Sequence, residues 1–198
     1  MNKILAINGS YREAGITDQV LDIMAGALKD LGAEVETVIL RDYPIEFCQN
    51  CRACTQPSGT SPGECVIQDG MQELIGKIEE SHGYILASPT NIGSTTAVFA
   101  RFMERLAGYA YWPWGMAAPK FRKAGLAQKK AVLVSSCAAP GFLGRWSFNT
   151  RKQLKTTART LGAVTVGVLF PGLIARESRC AISERVQKKA RALASKLA

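Results

Sequence analysis

The stretch KILAINGSYREAGIT, residues 3–17, decides the fold because it places a short apolar run directly before a polar loop and a helical segment. Residues 3–8 are predicted as a buried strand from their continuous apolar character. Residues 17–31 are predicted as an amphipathic helix, which Gly32 ends in the usual C-terminal manner. A buried strand that leads through a short loop into a helix is typical of the repeating unit of parallel sheets.

The same alternation of strands and helices continues along the chain. The further predicted strands cover residues 34–40, 83–88, 130–136 and 163–170, and the further predicted helices cover residues 71–80, 95–107, 148–161 and 182–197. Asp69 and Gln72 form a capping-box pattern before the second helix, and Ser183 is predicted to cap the last one. Helical crossovers between parallel strands cover both faces of a sheet. We therefore expect an α/β protein with a doubly wound five-stranded parallel sheet and helices on both faces.

Length and composition favour a single domain over residues 1–198. The chain is 47% hydrophobic and 21% charged, which is ordinary for a globular protein. No apolar run approaches the ~20 residues that cross a bilayer, and the first residues lack a secretion-signal pattern, so we expect a cytoplasmic protein without membrane association. Two loops stand out: a Cys-rich loop at residues 48–65, and an aromatic loop at residues 108–128 that suits a subunit interface or the wall of a site for a planar ligand.

The net charge of +9, from 25 basic and 16 acidic residues, favours anionic partners. Most of the excess follows residue 118 and is spread along predicted helices. This distribution is more typical of solvated helix faces than of a nucleic-acid footprint. We therefore do not expect a nucleic-acid partner, and a zinc-containing nucleic-acid binder is a remote alternative.

The loop after the first strand is suited to a phosphate group. In doubly wound sheets, ligands bind beyond the carboxyl ends of the strands, where backbone N–H groups and the positive end of a helix dipole meet an anion. Ser10 and Thr17 add hydroxyls there, Arg12 adds a charged fork, and Gly15 permits close backbone approach. The glycine patterns of nucleoside-triphosphate and dinucleotide sites are both missing after this strand. The alternative is an ordinary polar turn in which Thr17 caps the helix.

Four of the six cysteines lie close together in the sequence, at Cys48, Cys51, Cys54 and Cys65. Cys-x-x-Cys-x-x-Cys matches the opening of a ferredoxin-type run, in which a more distant cysteine completes the ligands of an iron–sulfur cluster. A zinc site more typically shows two separated pairs, and a redox pair would leave two thiols unexplained. A [4Fe–4S] cluster is the favoured interpretation, and zinc, redox thiols and no metal are open alternatives. The single histidine, His82, excludes a histidine-rich metal centre.

Three motifs together resemble the NADPH-dependent FMN reductases of the flavodoxin-like superfamily. They are Gly9-Ser10-x-Arg12 with Thr17, the segment Ser88-Pro89-Thr90-Asn91-Ile92-Gly93, and Phe99-x-x-Phe102-Met103-Glu104-Arg105. Within that superfamily, the clustered cysteines before Asp69-Gly70-Met71 are most similar to those of the iron–sulfur flavoproteins. The chain departs from the family pattern at Tyr11, where proline is common, at Ile16, where a polar residue is common, and in the longer spacing between Cys54 and Cys65.

The resemblance implies a non-covalently bound FMN and assigns a role to each motif. The FMN phosphate would lie on Ser10, Arg12, Gly15 and Thr17. The isoalloxazine ring would lie along Pro89, Thr90, Asn91, Ile92 and Gly93, with Ser136, Cys137 and Gly141 closing its other side.

The implied function is an FMN-dependent oxidoreductase that passes electrons from NAD(P)H, or from ferredoxin, to a small acceptor such as a flavin or a quinone. The cofactor carries the chemistry, so the resemblance requires no catalytic acid or base. A cluster on the four cysteines would accept single electrons. Such proteins are commonly homo-oligomers, and we expect a homo-dimer or homo-tetramer. A flavodoxin-like electron carrier without a small-molecule substrate is the alternative.

Overall fold

The computed structural model describes residues 2–126, 128–174 and 180–198. The strands are β1 (Lys3–Asn8), β2 (Glu34–Ile39), β3 (Gly83–Ala87), β4 (Ala110–Tyr111), β5 (Lys120–Phe121), β6 (Lys129–Val134) and β7 (Ala163–Leu169). The α-helices are α1 (Ile16–Asp30), α2 (Met71–Glu80), α3 (Ala97–Arg105), α4 (Gly141–Ser147), α5 (Thr150–Thr160) and α6 (Glu184–Ala194), and two 3₁₀ helices cover Ala53–Thr55 and Leu106–Tyr109. None of the helices in the described ranges combines the length and the apolar composition that a bilayer-spanning segment requires.

Five strands form one parallel sheet in the order β2-β1-β3-β6-β7. The predicted doubly wound, flavodoxin-like α/β fold is therefore confirmed. The strand order reverses between β1 and β3, and ligands of such sheets bind in the crevice outside the carboxyl ends at this point. The loops that follow β1, β3 and β6 meet at this edge.

Each face of the sheet carries its own apolar core, because successive side chains of a strand point to opposite faces. Leu5 and Leu86 pack on the face that is covered by α2, α3 and α5. Their neighbours Ile4 and Ile85 pack on the other face, against α1 and α6. Burial of each such side chain contributes about 1.5–3 kcal/mol to the free energy of unfolding. The two cores therefore stabilise the sheet and fix the positions from which its loops start.

Two segments that were predicted as loops contain regular structure. The aromatic loop includes a 3₁₀ turn and the hairpin of β4 and β5, in which Ala110 pairs with Phe121. The segment between the predicted strand at residues 130–136 and the predicted helix at residues 148–161 contains α4, which begins at Gly141 directly after Pro140. Both predictions of irregular structure were wrong because elements this short leave no hydrophobic period in the sequence.

The predicted helix caps are only partly formed. Before α2, the Asp69 N–H donates to Gln72 Oε1 at 3.2 Å, as a capping box requires. The Asp69 carboxylate, however, accepts from the Met71 N–H at 3.0 Å, which is one residue earlier than in a regular box. Ser183 occupies the N-cap position of α6, but its hydroxyl makes no capping hydrogen bond.

Candidate functional site

The loop after β1 is ordered by the polar side chain that ends the strand. Asn8 is buried, and its Oδ1 accepts a hydrogen bond from the Ser10 N–H at 2.9 Å while its Nδ2 donates to Asp18 at 2.7 Å. The Ser10 hydroxyl in turn accepts from the Arg12 N–H at 3.2 Å. These contacts fold residues 8–12 into a tight turn against the start of α1.

The start of α1 offers an uncapped helix N-terminus to this loop. Gly15 is the N-cap and provides no side-chain cap, so the alternative in which Thr17 caps the helix is wrong. Thr17 lies in the first turn and is buried, whereas the Arg12 side chain is exposed above the loop. Free N–H groups at a helix start, two hydroxyls and a guanidinium form a donor set that matches a phosphate.

Arg41 is a further residue of the phosphate loop that sequence reasoning missed. Its Nη1 donates to the Ser10 carbonyl at 3.2 Å and lies 4.0 Å from the Asp18 carboxylate. Asp18 would otherwise repel an anion at the helix start. One feature of the sequence could have indicated Arg41, which follows the end of β2 by two residues. The carboxyl ends of β1 and β2 lie at the same edge of the sheet because the two strands are parallel.

The loop after β3 ends in a strained two-residue turn. Asn91 and Ser94 exchange both backbone hydrogen bonds, at 2.8 and 3.0 Å. The residues between them, Ile92 and Gly93, have φ values of 47° and 74°, which defines a type I′ geometry. A β-branched residue with positive φ is an outlier, and such strain concentrates at functional sites. The Ile92 side chain is also fully exposed, so an apolar surface projects from this turn.

Direct hydrogen bonds join the three loops at the sheet edge. The Thr90 N–H donates to the Ser136 carbonyl at 2.8 Å, which links the loops after β3 and β6. The Thr96 hydroxyl donates to the Gly9 carbonyl at 2.6 Å, which links the loops after β3 and β1. The Thr90 hydroxyl also lies 2.9 Å from the Thr150 hydroxyl at the start of α5. The structure therefore brings together the three segments that were predicted to surround FMN.

Cys137 and Gly141 are fixed mainly by packing beneath α4. The Cys137 thiol is buried, donates to the Ala139 carbonyl at 3.2 Å, and has its pKa raised by that burial. A Cβ on Gly141 would lie 2.4 Å from the Phe170 carbonyl oxygen, so this position admits glycine alone without a backbone shift. Packing at these two residues therefore fixes the conformation of the loop after β6.

The charges of three of the clustered cysteines affect the pKa of the fourth, Cys54. Burial raises the pKa of the Cys54 thiol, and the charges of Cys65, Cys48 and Cys51 raise it further. The Cys48 sulfur also accepts a hydrogen bond from the Asn50 N–H at 3.4 Å. Within the described residues, no group of three or more Cys, His, Asp or Glu side chains is arranged to hold a metal ion. Thiols are the ligand type of iron–sulfur clusters, but the structure does not bring Cys48, Cys51, Cys54 and Cys65 into a ligating arrangement.

The segment before Cys65 folds back so that Gly63 packs against the backbone of Cys54. The Gly63 N–H donates to the Gly108 carbonyl at 2.9 Å, which anchors the segment to the aromatic loop. Arg122 is buried and donates to the carbonyls of Gly108 at 2.8 Å, Pro57 at 2.7 Å, Gly59 at 3.0 Å and Cys54 at 3.3 Å. One guanidinium thus fixes the path of the loop between Cys54 and Cys65.

Arg52, which lies between Cys51 and Cys54, makes a second connection to the aromatic loop. Its guanidinium lies over the Trp112 ring at 4.0 Å and the Trp114 ring at 4.2 Å, and donates to the Trp112 carbonyl at 2.7 Å. Cation–π contacts of this kind contribute about 0.5–2 kcal/mol each. The aromatic loop therefore supports the cysteine loop within one chain.

A basic groove lies beside α5 and the edge strand β7. The groove is a cavity of about 740 Å³ and is called the basic groove below. Its cationic lining residues are Lys123, Arg145, Arg151, Lys155 and Arg159. Its lining contains no carboxylate, and Lys123 is the one member that pairs with a described acid, Glu79. The Asn149 N–H donates to the Gly93 carbonyl at 2.7 Å, so the start of α5 connects the groove to the loop after β3.

The fold and the loops at its switch point define a flavodoxin-like α/β protein, and comparisons with solved structures agree. An FMN-dependent NADH-azoreductase of Bacillus anthracis in complex with FMN superposes with a TM-score of 0.66 at 14% identity and full coverage of both chains. A flavodoxin from the domain Archaea superposes with a TM-score of 0.54 at 10% identity, covering 100% of this chain and 96% of that one. At these identities the likeness concerns the fold.

The chain belongs to the NADPH-dependent FMN reductase family, whose model matches residues 2–171. An iron-sulfur flavoprotein of Archaeoglobus fulgidus is 36% identical over 111 residues, which cover 56% of this chain and 48% of that protein. An iron-sulfur flavoprotein of Methanosarcina thermophila is 28% identical over 103 residues, covering 52% and 51%. The chain thus spans about half the length of the curated relatives it matches. The resemblance to the NADPH-dependent FMN reductases that was inferred from the motifs is therefore confirmed.

Proposed function

We propose that this protein takes electrons from NAD(P)H through FMN and passes them to a small acceptor such as a flavin or a quinone. The observation that carries the proposal is the direct hydrogen bonding of Thr90 to Ser136 and of Thr96 to Gly9. These bonds hold a phosphate-type donor set and two polar loops around one crevice. FMN supplies hydride acceptance and one-electron release, and the chain supplies binding and orientation.

In this proposal the FMN phosphate lies on the loop after β1. Ser10, Arg12, Gly15 and Thr17 hold it, and Arg41 neutralises Asp18 beside it. The isoalloxazine ring lies along Pro89, Thr90, Asn91, Ile92 and Gly93, with Ser136, Cys137 and Gly141 on its other side. The exposed, apolar Ile92 at the tip of the turn is suited to contact the planar ring.

The basic groove supports a pyridine nucleotide as the electron donor. NAD(P)H carries several negative charges on its phosphates, and a groove lined by one sign of charge raises the local concentration of such a ligand. The groove runs along α5 and the edge strand β7, and the Asn149 N–H at the start of α5 donates to the Gly93 carbonyl of the loop after β3 at 2.7 Å.

We further propose that Cys48, Cys51, Cys54 and Cys65 hold a [4Fe–4S] cluster. Support comes from the Cys-x-x-Cys-x-x-Cys spacing and from the hydrogen bonds of Arg122 that fix the loop before Cys65. A cluster at these thiols would supply one-electron transfer, and ferredoxin would then be a second class of donor.

The proposed assembly is a homo-dimer or homo-tetramer in the cytoplasm. Phe142, Leu143 and Trp146 on α4 are all exposed, and clustered apolar residues of this kind mark interaction surfaces. Light scattering of the purified protein measures the subunit number, and a monomer at micromolar concentration would contradict this part of the proposal.

Steady-state turnover tests the proposed activity against the electron-carrier alternative. An oxidoreductase oxidises NADPH or NADH catalytically, over many turnovers, when a quinone or free FMN is present. Reduction of the bound FMN alone, with no turnover on quinone, free flavin or azo acceptors, would identify an electron carrier and refute the enzyme proposal. The measurement is made anaerobically, so that oxygen does not serve as an acceptor.

A further inference from the structure

The start of α5 is bonded to the backbone of the loop after β3 at two points. The Asn149 N–H, at the N-cap of the helix, donates to the Gly93 carbonyl at 2.7 Å. The Gln153 side chain, one turn further along, accepts a hydrogen bond from the Thr95 N–H at 2.9 Å. Both bonds lie in the second half of the loop, so the first half needs a further contact with the helix if α5 is to fix the whole loop.

The side chain of Thr150, the first residue of α5, makes this further contact. Its hydroxyl lies 2.9 Å from the Thr90 hydroxyl, which in turn lies 3.2 Å from the hydroxyl of Ser135, directly after β6. Thr150 and Ser135 are both buried. Buried hydroxyls are stable only where they have hydrogen-bond partners, so this chain of three hydroxyls favours one position of Thr90, between α5 and β6.

We propose that Thr150 is a positioning residue for the flavin ring, because its hydroxyl holds Thr90 in the loop along which the ring lies. This inference rests on the proposed placement of the isoalloxazine ring along residues 89–93. Thr150 has no exposed surface, so it acts through Thr90 rather than by contact with the ring. Residues that contact a ligand keep a precise geometry when the side chains behind them are locked by packing and hydrogen bonds.

Two exchanges at Thr150 separate the hydrogen bond from simple packing. Thr150→Val keeps the branched shape and removes the hydroxyl, whereas Thr150→Ser keeps the hydroxyl and removes the methyl group. We expect T150V to raise the Kd for riboflavin and for FMN by the same factor, about 3- to 10-fold, and T150S to keep both wild-type values. Riboflavin has no phosphate, so equal factors place the effect at the ring. Dilution of the flavin-loaded protein, which releases fluorescent flavin, measures both constants.

A packing role would give the reverse result. In that case T150S would bind both flavins more weakly and T150V would bind them like the wild type, and this outcome would overturn the inference. T150S carries the test alone if T150V does not fold, since a raised Kd for riboflavin in T150S is sufficient to refute a role of the hydroxyl.

Thr156 provides the matched control on the same helix. It is exposed and lies in the second half of α5, away from the loop bonds at the helix start. T156V therefore removes a threonine hydroxyl from α5 without touching Thr90. We expect its Kd for both flavins to equal that of the wild type, and a rise as large as that in T150V would also overturn the inference.

A double-mutant cycle tests whether Thr150 acts through Thr90. Residues that share one hydrogen bond have non-additive effects. We expect the double variant T90V/T150V to bind riboflavin with the Kd of T90V alone, because the hydrogen bond is already lost in T90V. Effects that multiply would show that Thr150 acts independently of Thr90 and would refute the inference. Wild-type protein that binds neither flavin would refute the proposed FMN site together with this inference, whereas wild-type binding of both flavins with an unchanged Kd in T150V refutes the inference alone.

Discussion

Gly63 lies directly against the carbonyl group of Cys54: a Cβ built on Gly63 would lie 1.8 Å from the Cys54 oxygen and 2.8 Å from its carbon. Atoms cannot approach this closely without movement of the backbone. The contact explains how a long segment returns the chain to the first three cysteines before Cys65. A glycine that looked like an ordinary loop residue is therefore a requirement of the cysteine site.

The exchange Gly63→Ala should disrupt this path. The added methyl group meets backbone rather than a flexible side chain, so either the Cys54 or the Gly63 segment must shift, and overpacking of this kind costs about 1–3 kcal/mol. We expect G63A to lose most of the iron that the wild type holds, with a lower melting temperature. Gly76 in α2 is the matched control, since a Cβ there meets nothing within 4 Å. G76A should retain iron and melt at the same or a higher temperature; an iron content in G63A equal to that in G76A would contradict the account.

Asp69 and Arg105 form a buried ion pair, and this pair predicts a pH dependence of stability. Burial alone would raise the pKa of Asp69, but hydrogen bonds from Arg105 and from the N–H groups of Glu46 and Met71 outweigh it and hold the pKa below its ordinary value. A carboxylate with a lowered folded pKa contributes stability above its unfolded pKa of about 3.9, and this stability is lost as the pH falls through the folded pKa. The contribution is therefore complete at pH 7.

Urea unfolding of the Asp69→Asn variant checks this prediction. At pH 7, D69N leaves the Arg105 charge buried and unpaired, and we expect a loss of roughly 3–5 kcal/mol. The difference from the wild type should be smaller at an acidic pH below the lowered pKa of Asp69 than at pH 7, because the carboxylate is itself protonated there. Asp30 at the exposed end of α1 is the control, and D30N should differ little from the wild type at either pH. A D69N difference of the same size at both pH values would rule out the linkage.

The phosphate assignment predicts a difference between FMN and riboflavin. A hydrogen bond to a charged group contributes about 1.5–3 kcal/mol, so Arg12→Gln should raise the Kd for FMN by about 10- to 100-fold. Riboflavin has no phosphate, and its affinity should not change. Fluorescence titration of the apoprotein measures both. Lys29→Gln, at the exposed end of α1, should leave both affinities unchanged; equal losses for FMN and riboflavin in R12Q would show that Arg12 supports the loop rather than the phosphate.

We predict that the basic groove binds the negatively charged phosphates of NADPH. We expect Arg151→Gln with Lys155→Gln to raise the KM for NADPH by about 3- to 10-fold at low salt, with kcat unchanged, because steering by surface charge acts before chemistry. The effect should diminish at high salt. Lys152 lies on the same helix outside the groove lining, and K152Q should keep the wild-type KM. An equal rise in the KM for NADPH in the Arg151–Lys155 double variant and in K152Q would show that NADPH does not bind in the basic groove.

Much of the fold was predictable because its signals are local. The buried strands at residues 3–8 and 83–88 are apolar runs bounded by turn residues, and the structure places β1 and β3 there. The short α4 and the β4–β5 hairpin were missed, since neither is long enough to show a period. Their conformations depend on contacts distant in sequence, such as the close approach of Gly141 to the Phe170 carbonyl.

The candidate site also contains some residues that the sequence could indicate and others that it could not. The loop after β1 and the four cysteines could be singled out because their members are close in the sequence, and their binding of a phosphate or a cluster stays a prediction. Arg41, Arg105 and Arg122 could not, because each holds a loop that lies 31 to 68 residues away along the chain. An arginine that donates to backbone carbonyls distant in sequence leaves no local pattern, so these contacts are visible only in the tertiary structure.

The most direct test of the central claim is the cofactor content of protein purified without oxygen, from its visible spectrum and from FMN, iron and sulfide analysis. We predict a brown protein with one FMN and about four irons and four acid-labile sulfides per chain, all from a single flavin site and one set of four thiols. A yellow protein with FMN and no iron would contradict the cluster, and a colourless protein that fails to take up added FMN would contradict the flavin site on which the whole account rests.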